Sequence, residues 1–311
     1  MLGRLNGEPS ALFVGLCTLD IVQAVARMPG QNEKVTALRQ SVAAGGPATN
    51  ASAAFACLGG RATLLTGVGR HPLADGVRAD LDQAGVTLID AAADDEAPPA
   101  VSSIIITEGS GDRCVVSVNA AGRELRPPSD LGALVDDARA VLIDGHHPAL
   151  ALAAARAARA RGRLCVLDGG SWKDNTADLL PHVDVAVCSA DFRPPGVPAA
   201  GVLDYLAERG IGWAAVTDGA KPVAWAGGGL RSTTAVPSVQ VADTLGAGDV
   251  FHGAFTYSIG KQGAVDPDSF GAAIRFGARV AAFSCRYFGT RSWMREWAAH
   301  ERAIPANRHS Q

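Results

Sequence analysis

Apolar and polar positions along this 311-residue chain fall into two regimes. In the first, short continuous apolar runs recur at 11–17, 62–66, 140–143, 164–167, 183–188 and 212–217. Such runs suit strands buried on both faces of a sheet. Ala-rich or amphipathic stretches stand between them, one beginning at Pro47, one over 74–84 stopped by Gly85, one over 149–161 stopped by Gly162. From about residue 128 the alternation is plainly strand then helix, which predicts a mostly parallel sheet with helices on its faces.

The second regime is half-polar. Residues 21–25 and 34–42 partly alternate on either side of Pro29-Gly30-Gln31-Asn32, a turn cluster. Residues 100–107 and 113–118 flank a Gly-rich turn and read as a hairpin. These segments predict a small, half-exposed β-sheet, built from 22–44 and 98–127, that covers a site as a lid. The whole is expected to be one α/β domain over residues 10–301. Gly227-Gly228-Gly229 reads as a further hairpin turn.

Composition narrows the function classes. The net charge is −3 and no basic stripe is present, so no nucleic-acid partner is expected. No apolar run reaches membrane-span length, and the first residues lack the apolar core of a signal peptide. No membrane partner and a cytoplasmic location are therefore expected. The six cysteines include no Cys-x-x-Cys pair and read as buried thiols. There is no Gly-x-x-x-x-Gly-Lys-Ser/Thr loop, and Gly67-Val68-Gly69 lacks the third glycine of a dinucleotide site. His146-His147 reads as a structural loop or a substrate contact rather than a metal site, because adjacent side chains on an extended segment point opposite ways.

Candidate chemistry gathers where strands end, since ligands of open α/β sheets bind outside the carboxyl ends. Asp20, Asp144, Asp168, Thr217 and Gly219 all follow apolar runs. Asp20 is either a ligand for a polar group or a turn aspartate. Gly45-Gly46-Pro47 opens a helix from whose first turn Asn50 projects, to cap it or to meet ligand hydroxyls. The strongest stretch is Asp243-Thr244-Leu245-Gly246-Ala247-Gly248-Asp249-Val250-Phe251. Its glycines let amides crowd at a helix N-terminus, which favours an anion such as a phosphoryl group. A carboxylate at Asp249 is either a first-turn acid or a group with a job there, such as taking a proton.

These motifs, in this order over about residues 11–291, resemble the PfkB or ribokinase-like carbohydrate kinases. The resemblance implies a three-layer sandwich with a β lid, and ATP-dependent phosphorylation of a hydroxyl on a sugar or sugar-like molecule. It implies Asp249 as general base and the backbone of Gly246, Ala247 and Gly248 as anion hole. Asp20, Asn32, Gly45, Gly46 and Asn50 correspond to sugar contacts, and Thr217, Gly219, Thr244, Gly246 and Gly248 to nucleotide contacts. Mg²⁺ is implied with ATP, and K⁺ in a loop containing Asp243 and residues 285–291. A homodimer through the lid is common in the family. Within it the chain is similar to the ketohexokinase-like branch, which favours a keto-sugar; a nucleoside kinase and a non-catalytic sugar sensor are the other readings. The chain departs from the family pattern at Pro47, often lysine, and at Pro222, usually glycine. It also lacks the Asn-x-x-Glu motif near 187–192, where Asp191 is left as a magnesium contact through water.

Overall fold

The computed structural model describes residues 8–109, 111–262 and 264–303. The stretch read for a signal peptide, Ser110 of the hairpin turn and the C-terminal tail lie wholly or partly outside these residues.

Strand β1 (Ser10–Val14) leads across three residues into β2 (Thr18–Val25), then β3 (Arg39–Gly45) and helix α1 (Pro47–Cys57). There follow β4 (Arg61–Thr66), α2 (Pro72–Gln83), β5 (Val86–Asp90), and the hairpin β6 (Ala100–Thr107) and β7 (Arg113–Ser117). Next come α3 (Leu131–Asp136), β8 (Ala140–Ile143), α4 (Pro148–Ala160), β9 (Leu164–Gly169), α5 (Thr176–Leu179) and β10 (Val185–Ser189). The chain ends with α6 (Val202–Glu208), β11 (Trp213–Thr217), β12 (Val223–Gly227), β13 (Leu230–Thr234), α7 (Ala247–Gly260), α8 (Pro267–Ser284) and α9 (Ser292–Ala303).

The main sheet runs β13-β12-β11-β10-β9-β8-β1-β4-β5, parallel throughout except for the antiparallel β12 and β13 at one edge. Alternate residues of each strand enter two separate cores. Phe13, Leu64, Leu142 and Val187 face α1, α2, α7 and α8; Leu12, Leu65, Ile143 and Cys188 face α3, α4, α5 and α6. This two-sided burial is why the strands read as unbroken apolar runs. The smaller sheet, ordered β3-β2-β6-β7, pairs β2 with β6 in parallel and is otherwise antiparallel. The ribokinase-like α/β architecture expected from sequence is thus present.

The largest differences from the sequence reading lie at two places. The apolar run 11–17 is not one strand: β1 stops at Val14, and Gly15, Leu16 and Cys17 carry the chain into the second sheet. Apolarity records burial, and these crossing residues are as buried as the strand they leave. Residues 34–38 are irregular and mostly exposed, so β3 begins later, at Arg39, and runs on to Gly45. Among the cysteines, Cys17, Cys165 and Cys188 are buried as expected, but Cys114 on β7 is exposed.

Candidate active site

The strand order reverses beside β1, with β4 on one side and β8 on the other, and the crevice outside these strand ends is where ligands of such sheets bind. Asp20 is not in the loop after β1; it is the third residue of β2, buried at 6% exposure. Thr18 Oγ1 donates to its Oδ1 at 2.6 Å, and Ser102 of the neighbouring β6 also bonds to it. Burial raises the Asp20 pKa, and these two hydrogen bonds oppose the rise. A Cβ on Gly45 would run into the Asp20 carboxyl, so glycine is what lets β3 end against it. Gly46, at φ 97°, caps α1, and Pro47 occupies its first turn.

Asn50 and Asp249 are joined directly. Asn50 Nδ2 donates to Asp249 Oδ2 at 2.8 Å, and Arg291 Nη1 donates to Asn50 Oδ1 at 2.9 Å. Arginine only donates, so this contact fixes which way the amide faces. Arg291 also gives Nη2 to Ala44 O at 2.8 Å and Nε to Asp80 Oδ2 at 3.2 Å, while the Ala44 amide donates to the same Asp80 oxygen at 3.0 Å. One guanidinium thereby ties α2, the end of β3, α1 and α7 into a single frame.

Asp249 sits in the first turn of α7, after Gly246 at φ 71°. Its carboxyl is half-buried at the mouth of the crevice, and its pKa is raised to about 7, first by burial and then by the Asp168 carboxylate. A Cβ on Gly248 would meet nothing within 4 Å, so there is open space beside the loop; the Ala247 amide donates to Thr244 O at 3.2 Å. Asp144, at the end of β8, accepts from the amides of Leu16 (2.9 Å), Ala48 (3.2 Å) and His146 (2.9 Å), and so staples the crossing after β1 to the start of α1.

Thr217 ends β11 in register with Ser189 of β10, and Gly219 follows at φ 54° with no neighbour where a Cβ would stand. Thr244 Oγ1 accepts from Arg113 Nη1 of the small sheet at 2.9 Å. Asp243 is buried, taking the amides of Leu245 (2.8 Å) and Gly289 (2.9 Å), which brings it against the 285–291 segment as expected. Asp191 is exposed just beyond β10. Asn32 is exposed in a turn at φ 56°. His147 caps α4 and is buried, which lowers its pKa. Among the described residues no group of three or more His, Cys, Asp or Glu side chains has the arrangement to hold a metal ion, and no helix is long and apolar enough to cross a membrane. Sequence reasoning missed Asp80, Ser102 and His252 as members of this neighbourhood and placed Arg291 only in the 285–291 loop, not against Asn50; all but Ser102 lie on helices or loops whose approach to the crevice is set only by tertiary packing.

Residues 9–297 match the family model described as "pfkB family carbohydrate kinase". Mouse ketohexokinase is 24% identical over 296 residues, covering 89% of this chain and 96% of that protein. The structure of Arabidopsis thaliana ribokinase complexed with ribose and ATP superposes with a TM-score of 0.74 at 21% identity, covering 91% of this chain and 94% of that one. The adenosine kinase of Sinorhizobium meliloti gives a TM-score of 0.78 at 21% identity, with coverages of 96% and 100%. With nearly its whole length matched by the model, on the fold that these kinases share, this chain belongs to the PfkB family of carbohydrate kinases.

Proposed function

We propose that the protein transfers the terminal phosphoryl group of ATP to a hydroxyl of a sugar or polyol, with a keto-sugar favoured. The observation that carries this reading is Asp249: a carboxyl at a helix N-terminus, aimed by Asn50, with its pKa raised to about 7. A base poised near the working pH is what removal of a hydroxyl proton requires. Phosphoryl transfer otherwise asks for positioning and charge stabilisation. In this reading Asp20, Gly45, Gly46 and Asn50 hold the acceptor so that its hydroxyl meets Asp249, which takes the proton as the new P–O bond forms. The amides of Gly246 and Gly248, with a share from Ala247, stabilise charge on the transferring group, helped by the α7 dipole. Thr217, Gly219 and Thr244 line the nucleotide side. The exposed oxygens of Asp191 suit Mg²⁺ held mainly by ATP phosphates and water, the usual manner of this ion.

The small sheet acts as the lid. It packs Val22, Ile104 and Ile106 on Leu245 and Phe288, beside the anion loop. On the opposite face Val42 and Val116, in register through Ile21 and Ser103, are exposed, and a second copy of the lid would cover them, so a homodimer is expected. The adenosine kinase likeness keeps a nucleoside acceptor in view, but residues 22–44 and 98–127 contain no Phe, Tyr or Trp to stack a base. A sugar sensor would have no use for a base at the phosphate site.

The test is ADP release from Mg-ATP across ketoses, aldoses, polyols and nucleosides. Asp249→Asn should lower the rate of the best acceptor by about 10²–10⁴-fold. Equal rates in the variant would remove Asp249 from the chemistry, and a nucleoside as best acceptor would overturn the sugar reading.

A further inference from the structure

A second ionisable pair lies buried beneath the anion loop, and the reaction scheme above makes no use of it. His252, one turn into α7, places Nδ1 2.8 Å from Gly248 O and Nε2 3.0 Å from Val187 O on β10. Carbonyl oxygens only accept, so both contacts are satisfied together only when both ring nitrogens carry protons. Asp168, at the end of β9, has Oδ2 3.5 Å from Nδ1, an ion-pair distance, and this buried oxygen has no hydrogen-bond partner; burial raises the Asp168 pKa and the facing His252 opposes the rise. Each residue is 4% exposed. A buried charge of this kind is costly unless paired, so the two side chains depend on each other.

We propose that His252, clamped between the ends of β9 and β10, is a positioning residue that pins the first turn of α7, and with it Asp249 and the Gly248 amide, to the sheet. The inference rests on Asp249 being the base. It gives Asp168 a second effect. Around Asp168 stand His252, Asp144 of β8, and Lys173 and His146 from the loops after β9 and β8. Around Asp249 stand Asp168, His252 and Asp20 of β2, with the neutral amide of Asn50. Of the groups facing Asp249, Asp168 acts most strongly and raises the pH at which the base gives up its proton; His252 opposes it less strongly. The pair therefore fixes both where the base points and the pH at which it becomes ready.

The experiment compares wild type with Asp168→Asn, His252→Ala, His252→Gln and Asp249→Asn. Kinetics use Mg-ATP and the fastest acceptor from the ADP-release panel; thermal unfolding is followed from pH 5 to 8. His252→Ala is expected to lower kcat by about tenfold or more with the KM for ATP little changed. His252→Gln, whose amide nitrogen reaches the place of Nε2, should recover part of that loss. Asp168→Asn should move the acid limb of kcat/KM to lower pH by about half a unit or more. The pH-dependent stability gap that separates wild type from Asp249→Asn should move the same way in the Asp168→Asn background, a readout that needs no substrate. Folded His252→Ala with wild-type kcat, or Asp168→Asn with an unmoved acid limb, would overturn the proposal. If Asp168→Asn fails to fold, the kcat-against-KM split of the two His252 variants decides. Retained turnover in Asp249→Asn would instead overturn the base, whatever the other variants do.

Discussion

With its pKa raised to about 7, Asp249 sheds its proton near neutrality, so kcat/KM is expected to fall as pH drops below about 7. A flat pH–rate profile down to pH 5 would contradict this. The same shift acts on stability. In the unfolded chain an aspartate ionises near 3.9. Between that value and about 7 the folded state keeps a proton that the unfolded state has lost, so the Asp249 contribution to stability falls as pH rises through this window and is level above it. Asp249→Asn should therefore be far less active yet more stable at pH 8, by about 1–2 kcal/mol once solvent screening of a half-buried group is allowed for, and no more stable at pH 4. Melting curves at the two pH values measure this; an equal gap at both would mean that the carboxyl ionises at its ordinary pH. Arg291 offers a second check. Lysine keeps the charge but not the fork that holds Asn50, Ala44 and Asp80 together, so Arg291→Lys should lower kcat by about tenfold while Mg-ATP binding, measured by titration calorimetry, is unchanged. None of this frame was legible in the sequence. Asn50 and Arg291 lie 241 positions apart, and nothing in their local patterns pairs them. Asp249 was legible, because a carboxylate after two glycines at a helix start is electrostatically odd on its own.

Helices α1 and α7 carry the two sides of the Asn50–Asp249 contact, and glycine sets their separation. A Cβ on Gly253 would strike Ala51 O and Ala54 Cβ of α1. Gly253→Val should cost about 1–3 kcal/mol by overpacking. By pushing the helices apart it should also lower kcat more than the stability loss explains, which activity assays below the melting transition would show; a destabilised variant with wild-type kcat would deny that the helix spacing matters to the site. At this scale the sequence was informative where burial is two-sided. The strand at 140–143, buried on both faces, appears with the expected bounds, and so does the alternating strand at 100–107, because neither pattern has a competing explanation. It was misleading where a buried segment is not a strand, as at Gly15–Cys17, and where exposed residues such as Lys34, Val35 and Thr36 left nothing to fix a register.

On the scale of the whole molecule, the open valines of the small sheet predict a particle of twice the chain mass in light scattering, and Val116→Glu, at a residue 68% exposed, should return it to monomer with the fold intact. A wild-type monomer would leave the lid to close alone. How such a lid would move follows from the crossing at Gly15–Cys17. Because β1 passes into β2 through only three residues, the cover is rooted in the floor beside Asp20 and Gly45, while the far end of β6 and β7 reaches the anion loop through Arg113. The eight residues of β6 make a lever of about 25 Å, so each degree of rotation at the root carries its tip about 0.4 Å. In the proposed reading the acceptor is held at the fulcrum, where such a rotation changes little, and the nucleotide under the tip, where it changes most. Opening the cover would thus free the spent nucleotide long before it loosened the grip on the sugar.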